Sequence, residues 1–87
     1  MSYERGAIER LKAKANGAFK RQSMCYAIRL YTDALGAACA FHSFDAEGAV
    51  GLLTLLLSNR SMTYLQLELP KRALRDAQQV RLLSLLP

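Results

Sequence analysis

Lys12 and Asn16 stand four residues apart in a stretch rich in helix formers. At helical spacing both side chains leave one face of the same helix. A lysine ammonium attracts a carboxylate, and an asparagine amide donates a directional hydrogen bond. A second asparagine, Asn59, lies far along the chain in another helical stretch. In stacked helix pairs that stretch lies beside the first and lines the same concave face. Three converging donors suit the terminal carboxylate of a peptide and the side chain nearest to it. The net charge of +5 agrees, and residues 1–21 carry six basic against two acidic side chains. Each residue also has a plainer reading. Lys12 can be a solvated helix charge, and Asn16 and Asn59 can cap or bridge neighbouring helices.

Other chemistries lack their residues. Ser, Cys and His form no recognisable nucleophile–base pattern, and no glycine loop is present to cradle a phosphate. A binding protein is therefore expected rather than an enzyme, with no cofactor. Cys25, Cys39 and His42 fall short of the four ligands a structural zinc needs. No metal site is expected. Two cysteines make no disulfide framework, and no basic segment followed by an apolar core opens the chain. Reduced thiols and a cytoplasmic location follow as expectations. The longest apolar run, Gly48 to Leu57, is too short to span a bilayer, so no membrane partner is expected.

Four helices must position the donors. The first is expected from about Glu4 to Arg21, with Ile8, Leu11, Ala15, Ala18 and Phe19 at helical spacing. Gln22 and Ser23 make a tight turn, with Ser23 as N-cap. The second helix runs from about Met24 towards Cys39 and buries Ala27, Ile28, Tyr31, Ala34 and Leu35. Arg29 and Asp33 are spaced as an i,i+4 pair on it, and Arg72 and Asp76 as a surface pair on the fourth. The third helix runs from about Glu47 to Leu67. The fourth opens at Pro70, whose missing N–H is not needed in a first helical turn, and continues to about Leu85.

The helix-pair pattern is written twice. At a constant offset of 46, Ala15 falls on Ser61, Ala18 on Tyr64, Ala27 on Ala73, Tyr31 on Ala77 and Ala34 on Val80. Helix pairs repeat and stack because a single pair cannot bury its own apolar face. Leu11-Lys12-Ala13-Lys14-Ala15-Asn16-Gly17-Ala18-Phe19 and Ser58-Asn59-Arg60-Ser61-Met62-Thr63-Tyr64 carry a resemblance. The chain resembles the tetratricopeptide repeat (TPR) family. More narrowly, it is similar to the TPR domains of co-chaperones that grip the acidic EEVD tails of heat-shock chaperones. A TPR unit of 34 residues fits 8–41 and again 54–87, with an insert at about 42–53. The resemblance implies an all-α fold of two stacked antiparallel helix pairs in a single domain over 1–87. The insert lengthens the second and third helices, which meet at a turn near His42 to Asp45. Asp45 is placed to cap the third helix.

The resemblance also implies a carboxylate clamp, of which Lys12, Asn16 and Asn59 match three of five usual positions. The other two belong to a third repeat, which would begin where this chain ends, so the clamp is incomplete as given. Phe19 and Tyr64 are expected as groove wall, and Tyr31 as core or groove wall. The implied partners are acidic C-terminal peptides of heat-shock chaperones. Two alternatives stay open. A scaffold would assemble with proteins regardless of a terminal carboxylate. A basic nucleic-acid or anionic-membrane binder is suggested by charge alone, and no nucleic-acid partner is expected. Leu82, Leu83, Leu85 and Leu86 cannot all face one side of a helix, which points to self-association through the C-terminal leucines or to a missing continuation.

Overall fold

Ile8, Ala15 and Ala18 recur at helical intervals and are fully buried, and their stripe sets the inner face of a helix over Arg5–Lys20, α1. The computed structural model describes residues 5–40 and 46–85. Three more helices follow: α2 over Met24–Ala40, α3 over Ala46–Gln66 and α4 over Pro70–Leu83. There is no strand among the described residues, and no helix there is long and apolar enough to cross a membrane. The middle helices are the longest, 17 and 21 residues against 16 and 14. The first turns of α3 are built from the insert. The expected turn at His42 to Asp45 and the Asp45 cap lie outside the described residues.

The helices pack as two stacked pairs, α1 on α2 and α3 on α4, with α2 also against α3 and α1 touching α3 more sparingly. Alanine dominates the seams: Ala15, Ala18, Ala27, Ala34, Ala37 and Ala38 are all buried. Small side chains let helix axes approach towards the close end of the usual ~8–10 Å range. Tyr31, Ile8 and Leu56 supply bulk between them. Ser61, the counterpart of Ala15, is small enough for the same crossing and donates its hydroxyl to the Ala73 carbonyl across α3 and α4 at 2.8 Å. Thr63 is fully buried and meets its own polar need on the Asn59 carbonyl one turn back.

Both hairpins close by the same backbone device. At the end of α1, Ser23 N–H donates to Ala18 and Gln22 N–H to Phe19, with Gln22 at φ 64°. At the end of α3, Leu69 N–H donates to Tyr64 and Glu68 N–H to Leu65, with Glu68 at φ 58°. These are Schellman turns, which satisfy orphan helix carbonyls through one left-handed residue. Their members are 46 apart, so the repeat read from residue types is present in the backbone. Ser23 then starts α2, its carbonyl accepting from Ala27 N–H at 2.9 Å.

Two of the expected surface pairs differ. Arg29 and Asp33 are both exposed and do not join; the ion pairs among the described residues are Lys12–Glu9 and Arg60–Asp76. Asp76 is not a surface partner of Arg72 but is 3% exposed. Spacing of four says that two side chains can meet and says nothing about which face carries them. Asp76 shares its face with Ala73, Val80 and Leu83, the stripe that packs inward. There it takes Nε and Nη2 of Arg60 in a bidentate pair at 2.7 Å each, while Arg60 Nη1 donates to Thr32 at 3.2 Å. One guanidinium thus ties α2, α3 and α4 together.

Candidate functional site

Asn16 on α1 and Asn59 on α3 come together where those two helices touch. Asn59 Nδ2 donates to Asn16 Oδ1 at 3.3 Å, and the Tyr31 hydroxyl from α2 donates to the same oxygen. Two donors on one atom fix the asparagine's orientation, because only its oxygen can accept them. The Asn16 nitrogen is left with its protons and donates to no described residue. Beside this trio opens a cavity of about 290 Å³ lined by Asn16, Phe19, Lys20, Tyr31, Asn59 and Met62. Burial raises the Tyr31 hydroxyl above its ordinary value, because a phenolate would be poorly solvated there, and the Asn59 amide opposes this in part. The phenol therefore stays a neutral donor that holds Asn16 in place.

Lys12 lies one helical turn before Asn16, with its ammonium 2.9 Å from Glu9. It is not among the cavity's lining residues. An i,i+3 pair of this kind contributes about 0.2–0.5 kcal/mol, so an incoming anion can take the ammonium over at little cost. Lys20 lines the cavity one turn after Asn16. The sequence reading passed over it, although it stands four residues from Asn16 just as Lys12 does. Phe19 and the half-exposed Met62 make the apolar wall.

No family model, curated protein or solved structure matches this chain.

Tyr64 sits elsewhere. It borders a second cleft with Arg60 and four α4 residues, and its ring lies 5.7 Å from the Arg60 guanidinium carbon. Hydrogen bonds donated to Asp76 hold Arg60 protonated beyond its usual range, with burial pulling the other way. The structure thus gathers Asn16, Asn59, Phe19 and Tyr31 with Lys20 and Met62. It leaves Lys12 outside the cavity lining, paired with Glu9, and Tyr64 on another surface. What the gathered set can do is donate: two amides and an ammonium face a small concavity that has one apolar side. Such a set is chemically suited to an anion attached to an apolar group.

Proposed function

We propose that this chain is a protein–protein interaction module of the TPR co-chaperone type. Its Asn16–Asn59 pocket takes the free C-terminal carboxylate of an acidic tail such as EEVD. The observation that carries this reading is the meeting of Asn16 and Asn59 across α1 and α3 beside a cavity with Lys20 on its wall. The unspent protons of the two amides meet the carboxylate, Lys20 and Lys12 supply charge, and Phe19 and Met62 receive the neighbouring apolar side chain. A cytoplasmic location goes with this reading.

Charge-assisted hydrogen bonds contribute roughly 1.5–3 kcal/mol each, and association costs a comparable total. Three such contacts support a dissociation constant of the order of 100 μM or weaker. Calorimetric titration with an EEVD-ending peptide tests it. The free acid binds, the C-terminal amide does not, and Asn16→Ala abolishes binding while circular dichroism stays helical. Raising salt weakens the free-acid titration, because the pocket is open to solvent. Equal titration of acid and amide sinks the clamp and favours a scaffold. The exposed Leu74 and Leu82 on α4 and Leu85 just beyond it support that second reading.

A further inference from the structure

Away from Asn59, α3 carries a ridge at helical intervals: Leu53, Leu57, Arg60 and Tyr64. On α4 the residues Arg72, Asp76, Gln79 and Leu83 repeat the same spacing. The two helices run antiparallel, so the ridges face each other from the α3–α4 turn outward. Two clefts open along this seam, and Arg60 borders both. The one nearer the turn measures about 360 Å³ and is lined by Lys71, Arg72 and Arg75 with Tyr64 and the Arg60–Asp76 pair. The other, about 430 Å³, takes its apolar lining from Leu35, Leu53, Leu57 and Leu83.

The charges decide what fits. Arg60 and Asp76 satisfy each other. Lys71, Arg72 and Arg75 are exposed and make no ion pair with a described residue. Glu68, on the turn before them, borders an adjoining cleft with Lys71 and Arg72 but joins neither in an ion pair, so it offsets one of the three charges at most. The groove therefore runs from a net positive end, where three cations outnumber the one nearby carboxylate, to a pocket of leucines. A nucleic-acid backbone would need cations along its whole track, and leucines occupy half of this one. A bilayer needs apolar side chains that project, and these are recessed between helices. An extended or helical peptide with acidic residues at one end and apolar residues at the other matches both halves.

We propose that this seam groove is a second peptide-binding surface. It takes an acidic amphipathic segment, with carboxylates over Lys71, Arg72 and Arg75 and apolar side chains in the leucine end. The segment is internal to its protein, since the groove has no counterpart of the paired amides. The proposal stands whether or not the Asn16–Asn59 pocket binds a terminal carboxylate.

The test uses the whole chain and a fluorescent peptide with both termini blocked. The peptide carries three glutamates at one end and two leucines, one helical turn apart, at the other. Blocked termini keep it from being read as a free carboxylate, so this outcome and that of the tail-peptide titration are separate. Anisotropy should report saturable binding, weakened at least about tenfold by Lys71→Glu with Arg75→Glu and by serine in place of the peptide leucines. Methyl resonances of Leu53, Leu57 and Leu83 should shift on titration while the Asn16 and Asn59 amide resonances stay still. Those shifts also decide the matter if the charge-reversed variant does not fold. The proposal is overturned by no binding to the wild-type chain, by less than a twofold effect of charge reversal in a folded variant, or by shifts confined to Asn16 and Asn59. Tighter binding to phosphatidylserine vesicles or to single-stranded DNA than to the peptide overturns it equally.

Discussion

Asn16 holds its place through one oxygen that accepts from both Tyr31 and Asn59. Tyr31 is 2% exposed, and Tyr31→Phe deletes a donor there without changing the packed ring. The loss should be about 1 kcal/mol by urea denaturation. The same variant carries a pH signature. The phenol's folded value is raised above the ordinary tyrosine value of about 10. Its contribution is complete below that value and is lost as pH rises through the folded one, because the unfolded chain gives up its proton first. Wild-type stability should thus fall more steeply than that of Tyr31→Phe above pH ~10. Parallel stability curves for the two proteins would contradict the assignment. The types and spacing of Asn16 and Asn59 marked them as helix donors, whereas they drew attention to Lys12, which does not line the cavity, and not to Lys20, which does. Tyr31's role as the group that aims Asn16 was not legible, since nothing in the chain tells where a buried hydroxyl points.

Helix limits were readable to within a residue or two, because Pro70, the Gln22–Ser23 break and the apolar spacing all speak locally. The turns themselves were not. Gln22 and Glu68 take left-handed backbone that composition would assign to glycine, and they do so because the Schellman bonds on either side leave no other path. Asp76 was misread for the opposite reason: a local pairing rule was applied where the face mattered. An acid inside the stripe Ala73, Asp76, Val80 and Leu83 was the available signal. Its side chain is 4% exposed, so removing it strands the Arg60 guanidinium in the α2–α3–α4 junction. Asp76→Ala should lower stability by about 3 kcal/mol, whereas Asp76→Leu combined with Arg60→Met should come close to neutral. For a chain this short, 3 kcal/mol is a large share of the total. A single variant within 1 kcal/mol of wild type in urea melts would remove the pair from the list of ties.

Across the whole molecule, the C-terminal leucines divide by face. Leu82 and Leu85 are more than half exposed, Leu83 packs on the core, and Leu86 lies outside the described residues. We propose that association through this end uses the exposed Leu82 and Leu85, with the exposed Leu74 on α4 as a further apolar contact. Leu82→Lys with Leu85→Lys should lower the mass seen by light scattering without loss of helix, while Leu83→Lys should destabilise the fold. A wild-type chain that is monomeric at high concentration would end this idea. The two hairpins are also related by a symmetry, a shift of 46 positions, and it breaks at the pocket. Asn16 and Met62 are equivalent sites, and both line the same cavity. One copy presents an amide, the other a thioether. The concave face is therefore not a neutral trough but a surface with a sense. Because the equivalent positions differ, turning a ligand end for end in this cavity would not restore the same contacts.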